Sequence, residues 1–187
     1  MADTKITALT ELTEAAGEDL LAIVDDPSGT PITKKISKTN LLQALTNTAK
    51  SKVYLGSDQS VGSTDVITKV SLNTEVYDPG SNFDNATNYV FTAPVTGYYL
   101  VTGKIRFGSL ADQNRLEAQV YINGSLSKVF QANASGTADM DMMFCDIFYV
   151  TATQTIGLWG RNRDANTVFK YVSATYATFM TVHLLSL

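Results

Sequence analysis

Val90-Phe91-Thr92-Ala93-Pro94-Val95-Thr96-Gly97-Tyr98-Tyr99-Leu100-Val101 decides how this chain is read. It is a strand, a corner and a second strand. Pro94 has no N–H for a sheet ladder, so it ends the first strand. Gly97 frees the backbone at the corner. Tyr98 to Phe107 then alternates with the two-residue period of a strand.

Outward from that block the same pattern recurs. Leu116, Ala118, Val120 and Ile122 alternate with Glu117, Gln119, Tyr121 and Asn123, which predicts a strand with one apolar face. Asn123-Gly124 is the dipeptide a two-residue hairpin turn requires, because both central residues need positive φ. Met140 to Thr151, Thr155 to Gly160, Val168 to Val172 and Tyr176 to Leu187 read as further strands, and Val66 to Val76 alternates loosely. Residues 53–187 therefore read as an all-β antiparallel sandwich.

Two strands are apolar on both faces. Met142, Phe144, Phe148 and Val150 occupy one side of their strand, and Met143, Cys145, Ile147 and Tyr149 the other. The last strand sets Tyr176, Met180, Val182 and Leu184 against Ala177, Phe179, Leu185 and Leu187. An antiparallel sandwich turns one face to water. A second apolar face needs a second cover, and another copy of the chain is the natural one.

The block at 90–101 resembles the signature of the complement-head and tumour-necrosis-factor-like jelly roll. The resemblance extends over Asp65 to Leu187. It includes Tyr77-Asp78-Pro79, the Val120-Tyr121-Ile122-Asn123-Gly124 hairpin, Ile156 with Leu158-Trp159, and Tyr176-Ala177-Thr178-Phe179-Met180. It departs at Thr153-Gln154, where that family often carries Gly-Asp. The resemblance implies ten strands in two sheets and a homotrimer built through aromatic and aliphatic residues. Tyr99, Phe107, Phe144, Phe148, Tyr176 and Phe179 are the candidates for that interface or for the core.

Residues 1–45 differ, with almost no aromatic side chains. Asp19 to Val24 and Ile32 to Ile36 predict a hairpin across the turn-rich Asp25 to Pro31. Thr39 or Asn40 is placed to cap a short helix through Leu45. A lone hairpin is marginal in water, so this segment is expected to order against something else. Ile6 to Leu12, Glu18 to Asp25, the Pro-Ser-Gly-Thr-Pro turn and Asn40-Leu41-Leu42 resemble the N-terminal attachment module of tailed-bacteriophage fibre and appendage proteins. That resemblance implies docking to other virion proteins through Leu20, Leu21, Ile23, Ile32, Ile36, Leu41 and Leu42. Residues 46–52 read as a linker.

Composition excludes several classes. The chain has 187 residues, 14 basic and 18 acidic, for a net charge of −4, and no basic run. Nucleic acid is therefore not an expected partner. No apolar run reaches the roughly 20 residues a membrane span needs. One cysteine excludes an internal disulfide. No signal peptide is evident at the start, so synthesis in a host cytoplasm and residence in a virion is the expectation.

Chemistry is sparse. His183 is the only histidine and reads as a structural group in the last strand. Cys145 reads as a buried small hydrophobe. Asp78, Asp84 and Asn85 form an oxygen-rich loop, most simply a local Asx turn. Asp146, among apolar neighbours, calls for an arginine partner from Arg106, Arg115, Arg161 or Arg163. No pair of acids suits glycoside hydrolysis, so no enzyme activity, cofactor or metal is expected. The loop after Trp159, with Arg161 and Arg163, combines an aromatic with guanidinium and amide groups. It is the candidate for host-surface recognition, of glycan or protein. Two functions follow: a homotrimeric appendage of a phage particle, or a soluble lectin-like glycan-binding module.

Overall fold

The computed structural model describes residues 20–25, 32–37, 48–61, 65–164 and 169–187. Contacts divide the chain into two units, Met1–Asn47 and Thr48–Leu187.

In the first unit the expected hairpin is present. Strand β1 (Leu20–Asp25) runs antiparallel to β2 (Ile32–Ser37). Leu21 stands opposite Ile36, Ile23 opposite Lys34, Leu20 opposite Ser37 and Ile32 opposite Asp25. The expected helix with Leu41 and Leu42 lies outside the described residues.

The second unit is a two-sheet sandwich. One sheet contains β3 (Lys50–Tyr54), β6 (Thr74–Tyr77), β9 (Gly97–Gly108), β12 (Met140–Val150) and β15 (Phe179–Ser186). Their order is β12-β9-β15-β3-β6. The short β4 (Gln59–Val61) and β14 (Phe169–Tyr171) extend it to seven strands. The other sheet runs β11-β10-β13-β8-β7, that is Ser125–Asn133, Arg115–Ile122, Thr155–Asn162, Val90–Thr92 and Phe83–Asp84. β5 (Thr68–Lys69) adds to β13 as a sixth strand. Two five-stranded paths make the ten-stranded jelly roll, and every pairing is antiparallel. No helix occurs among the described residues.

The corner at Ala93–Thr96 carries the chain from β8 in one sheet to β9 in the other. Tyr99 Oη donates to the Val95 carbonyl at 2.7 Å and fastens the bend. Ala93 exchanges backbone bonds with Gln154 and Thr153 at 2.9 and 2.8 Å. Inside, Tyr99, Val101, Ile105 and Phe107 from β9 meet Leu116, Ala118 and Val120 from β10, all fully buried. Phe107 packs edge-on to Tyr171, with ring centroids 5.5 Å apart. Phe144 lies over Gly103, where an added Cβ would come within 2.5 Å of its ring.

Several expectations shift. Val66 to Val76 is not one strand: β5 joins one sheet and β6 the other. The stretch read as linker already contributes Lys50 to Lys52 to β3. The last strand begins at Phe179, not Tyr176, because a turn closes there with Ala177 N–H donating to Ala174. The hairpin turn stands as expected, with φ of 49° at Asn123 and 76° at Gly124. At the departure from the family pattern, Thr153 takes φ 72°. Left-handed backbone is costly for a β-branched residue and free for a glycine.

Candidate interaction surfaces

Parity along β12 decides what the seven-stranded sheet shows to the outside. Met142, Phe144 and Val150 point inward and are buried. Met143, Ile147 and Tyr149 point outward and are 73%, 52% and 60% exposed. Register continues this row onto β9, where Tyr149 faces Tyr98, Ile147 faces Leu100 and Cys145 faces Thr102. Tyr98 and Tyr149 meet edge to face at 5.2 Å. Leu185 and Leu187 extend the exposed apolar area. An apolar depression of about 400 Å³ opens beside it, lined by Thr102, Gly103, Phe130, Met143, Phe144, Cys145 and Phe179.

The sequence-derived interface residues divide accordingly. Tyr99, Phe107 and Phe144 are core. Phe148 points inward opposite Tyr99 and is half-buried against the core. Phe179 lies on the outer face with the Lys52 ammonium 5.2 Å from its ring. Tyr176 stands on the turn before β15, 71% exposed. Cys145 is exposed rather than buried, because its place on β12 turns it to the outer face with Met143, Ile147 and Tyr149.

Further along the same outer face sits His183, in register with Lys50 on one side and Leu100 on the other. Its Nε2 shares a 2.6 Å hydrogen bond with Tyr77 Oη, and the rings meet edge-on at 5.9 Å. Burial and the neighbouring Lys50 charge hold its pKa below the ordinary histidine value. Burial pushes the Tyr77 phenol up, so it stays protonated. The structural role expected of His183 therefore has a named partner.

The six-stranded sheet has a different exterior. Arg161 and Trp159 belong to β13 itself, and Arg163 follows directly. Glu117, opposite Arg161 on β10, is only 3% exposed. Arg161 and Arg163 approach its carboxylate at 3.6 and 3.3 Å, and Gln119 Nε2 donates to it at 2.6 Å. Arg161 also pairs with Asp65 at 2.7 Å. The Nε atoms of both arginines are buried without a hydrogen-bond partner. Trp159 is held between Tyr121, 4.3 Å away, and the Lys69 ammonium, 4.9 Å from its ring. The candidate recognition residues are thus also engaged in contacts within the protomer. Sequence reasoning missed Glu117, Gln119, Asp65 and Lys69. For Glu117 and Gln119 the signal was the row of polar residues alternating with the apolar face of β10; Asp65 and Lys69 had none.

The remaining charges are locally answered. Asp146 pairs with Lys128 at 3.0 Å, not with an arginine, because β12 and β11 are edge strands whose side chains meet. Arg106 and Lys104 both hold Asp141, at 2.7 and 2.9 Å, and the Arg106 hydrogen bond is the main cause of its depressed pKa. Arg115 holds Asp164, whose pKa falls to about 2. Asp84 accepts backbone N–H groups from Ala86, Thr87 and Asn88, and Asp78 accepts that of Phe83 at 2.7 Å. That oxygen-rich loop is a set of local turns. No cluster of three or more metal-ligating side chains occurs among the described residues.

Against solved structures, the fold is similar to murine APRIL, at 18% identity and a TM-score of 0.53, covering 73% of this chain and 99% of that one. It is similar to Eiger, a tumour necrosis factor of S. frugiperda, at 9% identity and a TM-score of 0.56, covering 73% and 92%. It is also similar to the globular domain of zebrafish complement 1qA, at 12% and 0.52, covering 73% and 96%. These likenesses show the fold: a jelly roll of the tumour-necrosis-factor and complement-head type. No family model and no curated protein matches the sequence.

Proposed function

We propose that this chain is a structural, non-enzymatic component of a tailed-phage particle. In this reading it is a homotrimeric fibre, spike or capsid decoration, made in the host cytoplasm and carried on the virion. The jelly roll projects and meets the host surface, and residues 1–45 attach it to other virion proteins. One observation supports self-association above all: the outer face of β12, β9 and β15 presents Met143, Ile147, Tyr149, Tyr98 and Leu185 to solvent. Contiguous apolar surface of this kind marks interaction sites. The core of a permanent interface resembles a protein interior cut in two. The fold is one that the family resemblance associates with trimers, and the phage assignment draws its support from the resemblance of residues 1–45.

Multi-angle light scattering on the full chain at micromolar concentration tests the assembly. A trimer is expected, and a monomer overturns it. The phage assignment is tested by immunogold labelling of particles, where absence of label from intact virions removes it.

A further inference from the structure

The sole histidine of the chain lies on the face proposed to be covered by a second copy, and this inference rests on that reading. The row Lys50–His183–Leu100–Ile147 runs across β3, β15, β9 and β12 in register. His183 therefore shares a row with the apolar residues at its β12 end. At its other end lies a recess of about 520 Å³, lined by Lys50, Tyr77, Asp78, Pro79 and His183.

We infer that assembly through this face is gated by pH, with protonation of His183 loosening it. The 2.6 Å bond between Nε2 and Tyr77 Oη fixes the ring beside Lys50. A proton added to the ring sets a second positive charge beside Lys50 in a face the partner dehydrates. Charge buried without a close counterion is expensive.

The groups facing His183 favour this sign. From β3 come Lys50 and Lys52; from β6 and the turn after it come Tyr77 and Asp78; from β9 come Leu100 and Tyr98; along its own strand lie Thr181 and Leu185. Asp78 is the one acid there; its Oδ2 accepts the Phe83 N–H at 2.7 Å, and its Oδ1 is buried with no hydrogen-bond partner among the described residues. Lys50 is the cation set against the ring in register, since the Lys52 ammonium lies over Phe179. The depressed pKa of His183 in the protomer points the same way. Assembly then releases protons and weakens as pH falls through the histidine range.

The experiment is light scattering on the full chain from pH 7.5 to pH 5 at constant ionic strength, with circular dichroism to confirm that the protomer stays folded. The dissociation constant is expected to rise by about tenfold per pH unit for each histidine that takes up a proton. His183→Gln should remain assembled at pH 5. Because there is one histidine, its imidazole C2–H resonance is unambiguous by NMR. Its pKa should be lower in the assembled protein than in dilute, dissociated protein. That titration needs no variant, so it stands if His183→Gln misfolds. Assembly at pH 7.5 that persists unchanged at pH 5 overturns the switch and leaves self-association intact. So does parallel dissociation of wild type and His183→Gln, or an equal histidine pKa in both states. A monomer already at pH 7.5 removes self-association and the switch together.

Discussion

The two sheets of this sandwich finish their outer surfaces in opposite ways. On the six-stranded sheet Glu117, Arg161, Arg163, Gln119 and Asp65 pair with one another, and Trp159 packs against Tyr121 and Lys69. On the seven-stranded sheet Met143, Cys145, Ile147 and Tyr149 stand exposed. Among the described residues one exterior is polar and internally paired, and the other is apolar and open. The aromatic and arginine residues that look like recognition groups in the sequence also make contacts within the protomer. The plain aliphatic row is the surface that asks for a partner.

Substitutions on the two faces separate these roles. Ile147→Asp should have the largest consequence for assembly, because it places an unpaired charge where the partner must exclude water, a cost of several kcal/mol. The protomer itself should change by no more than about 0.5 kcal/mol, since the site is exposed. Light scattering and a urea melt of the same sample read both, and an assembled Ile147→Asp would break the contrast. Glu117→Leu is the mirror case. It strips the buried counterion from Arg161 and Arg163 and should destabilise the protomer by about 3 kcal/mol, read by urea denaturation, with the oligomeric state of the folded fraction unchanged. Wild-type stability in that variant would mean the network contributes nothing.

Smaller effects sharpen the picture away from the faces. Thr153→Gly should relieve the left-handed strain at φ 72° and raise stability by about 1 kcal/mol, visible as a higher Tm. A lower Tm would show that the threonine side chain holds the bend. Acid should act last. Asp141 and Asp164 have folded pKa values below the 3.8 of a free aspartate, Asp164 at about 2. A depressed carboxylate contributes fully above its unfolded pKa and loses that contribution as pH falls through the folded one. Their ion pairs should leave Tm level from pH 7 to pH 5 and lower it between about pH 4 and pH 2, the range the two pKa values bracket. Asp164→Asn should flatten part of that decline.

Much of the sandwich was legible because burial alternates with a two-residue period along β9 and β12, and β10 alternates apolar with polar side chains. The Asn123-Gly124 turn was legible for a purely local reason. The second apolar face of β12 was visible as parity, yet Cys145 was expected inside: parity assigns a side and does not say what lies over it. The partners of Glu117 and Asp146 were out of reach. Glu117 meets Arg161 only once β10 and β13 are in register, and Asp146 meets Lys128 only because two edge strands come together. Such pairs belong to the topology, and no local pattern encodes them. The neighbours of Trp159 were equally out of reach, because they come from β5 and β10, in distant parts of the chain.

The placement of β15 has a consequence for how the sandwich is made. The last strand of the jelly roll sits between β9 and β3, joined by register to both. Until it arrives, β3 has no neighbour to join it to β9, and the central gap in the sheet stays open. During synthesis the ribosome must therefore release nearly the whole domain before the sheet can knit, and the earlier strands wait with their greasy sides uncovered. Pairings this far apart along the chain are slow to form and vulnerable to clumping meanwhile. A helper that shelters nascent chains would shape the yield of this protein more than any single contact in the finished fold.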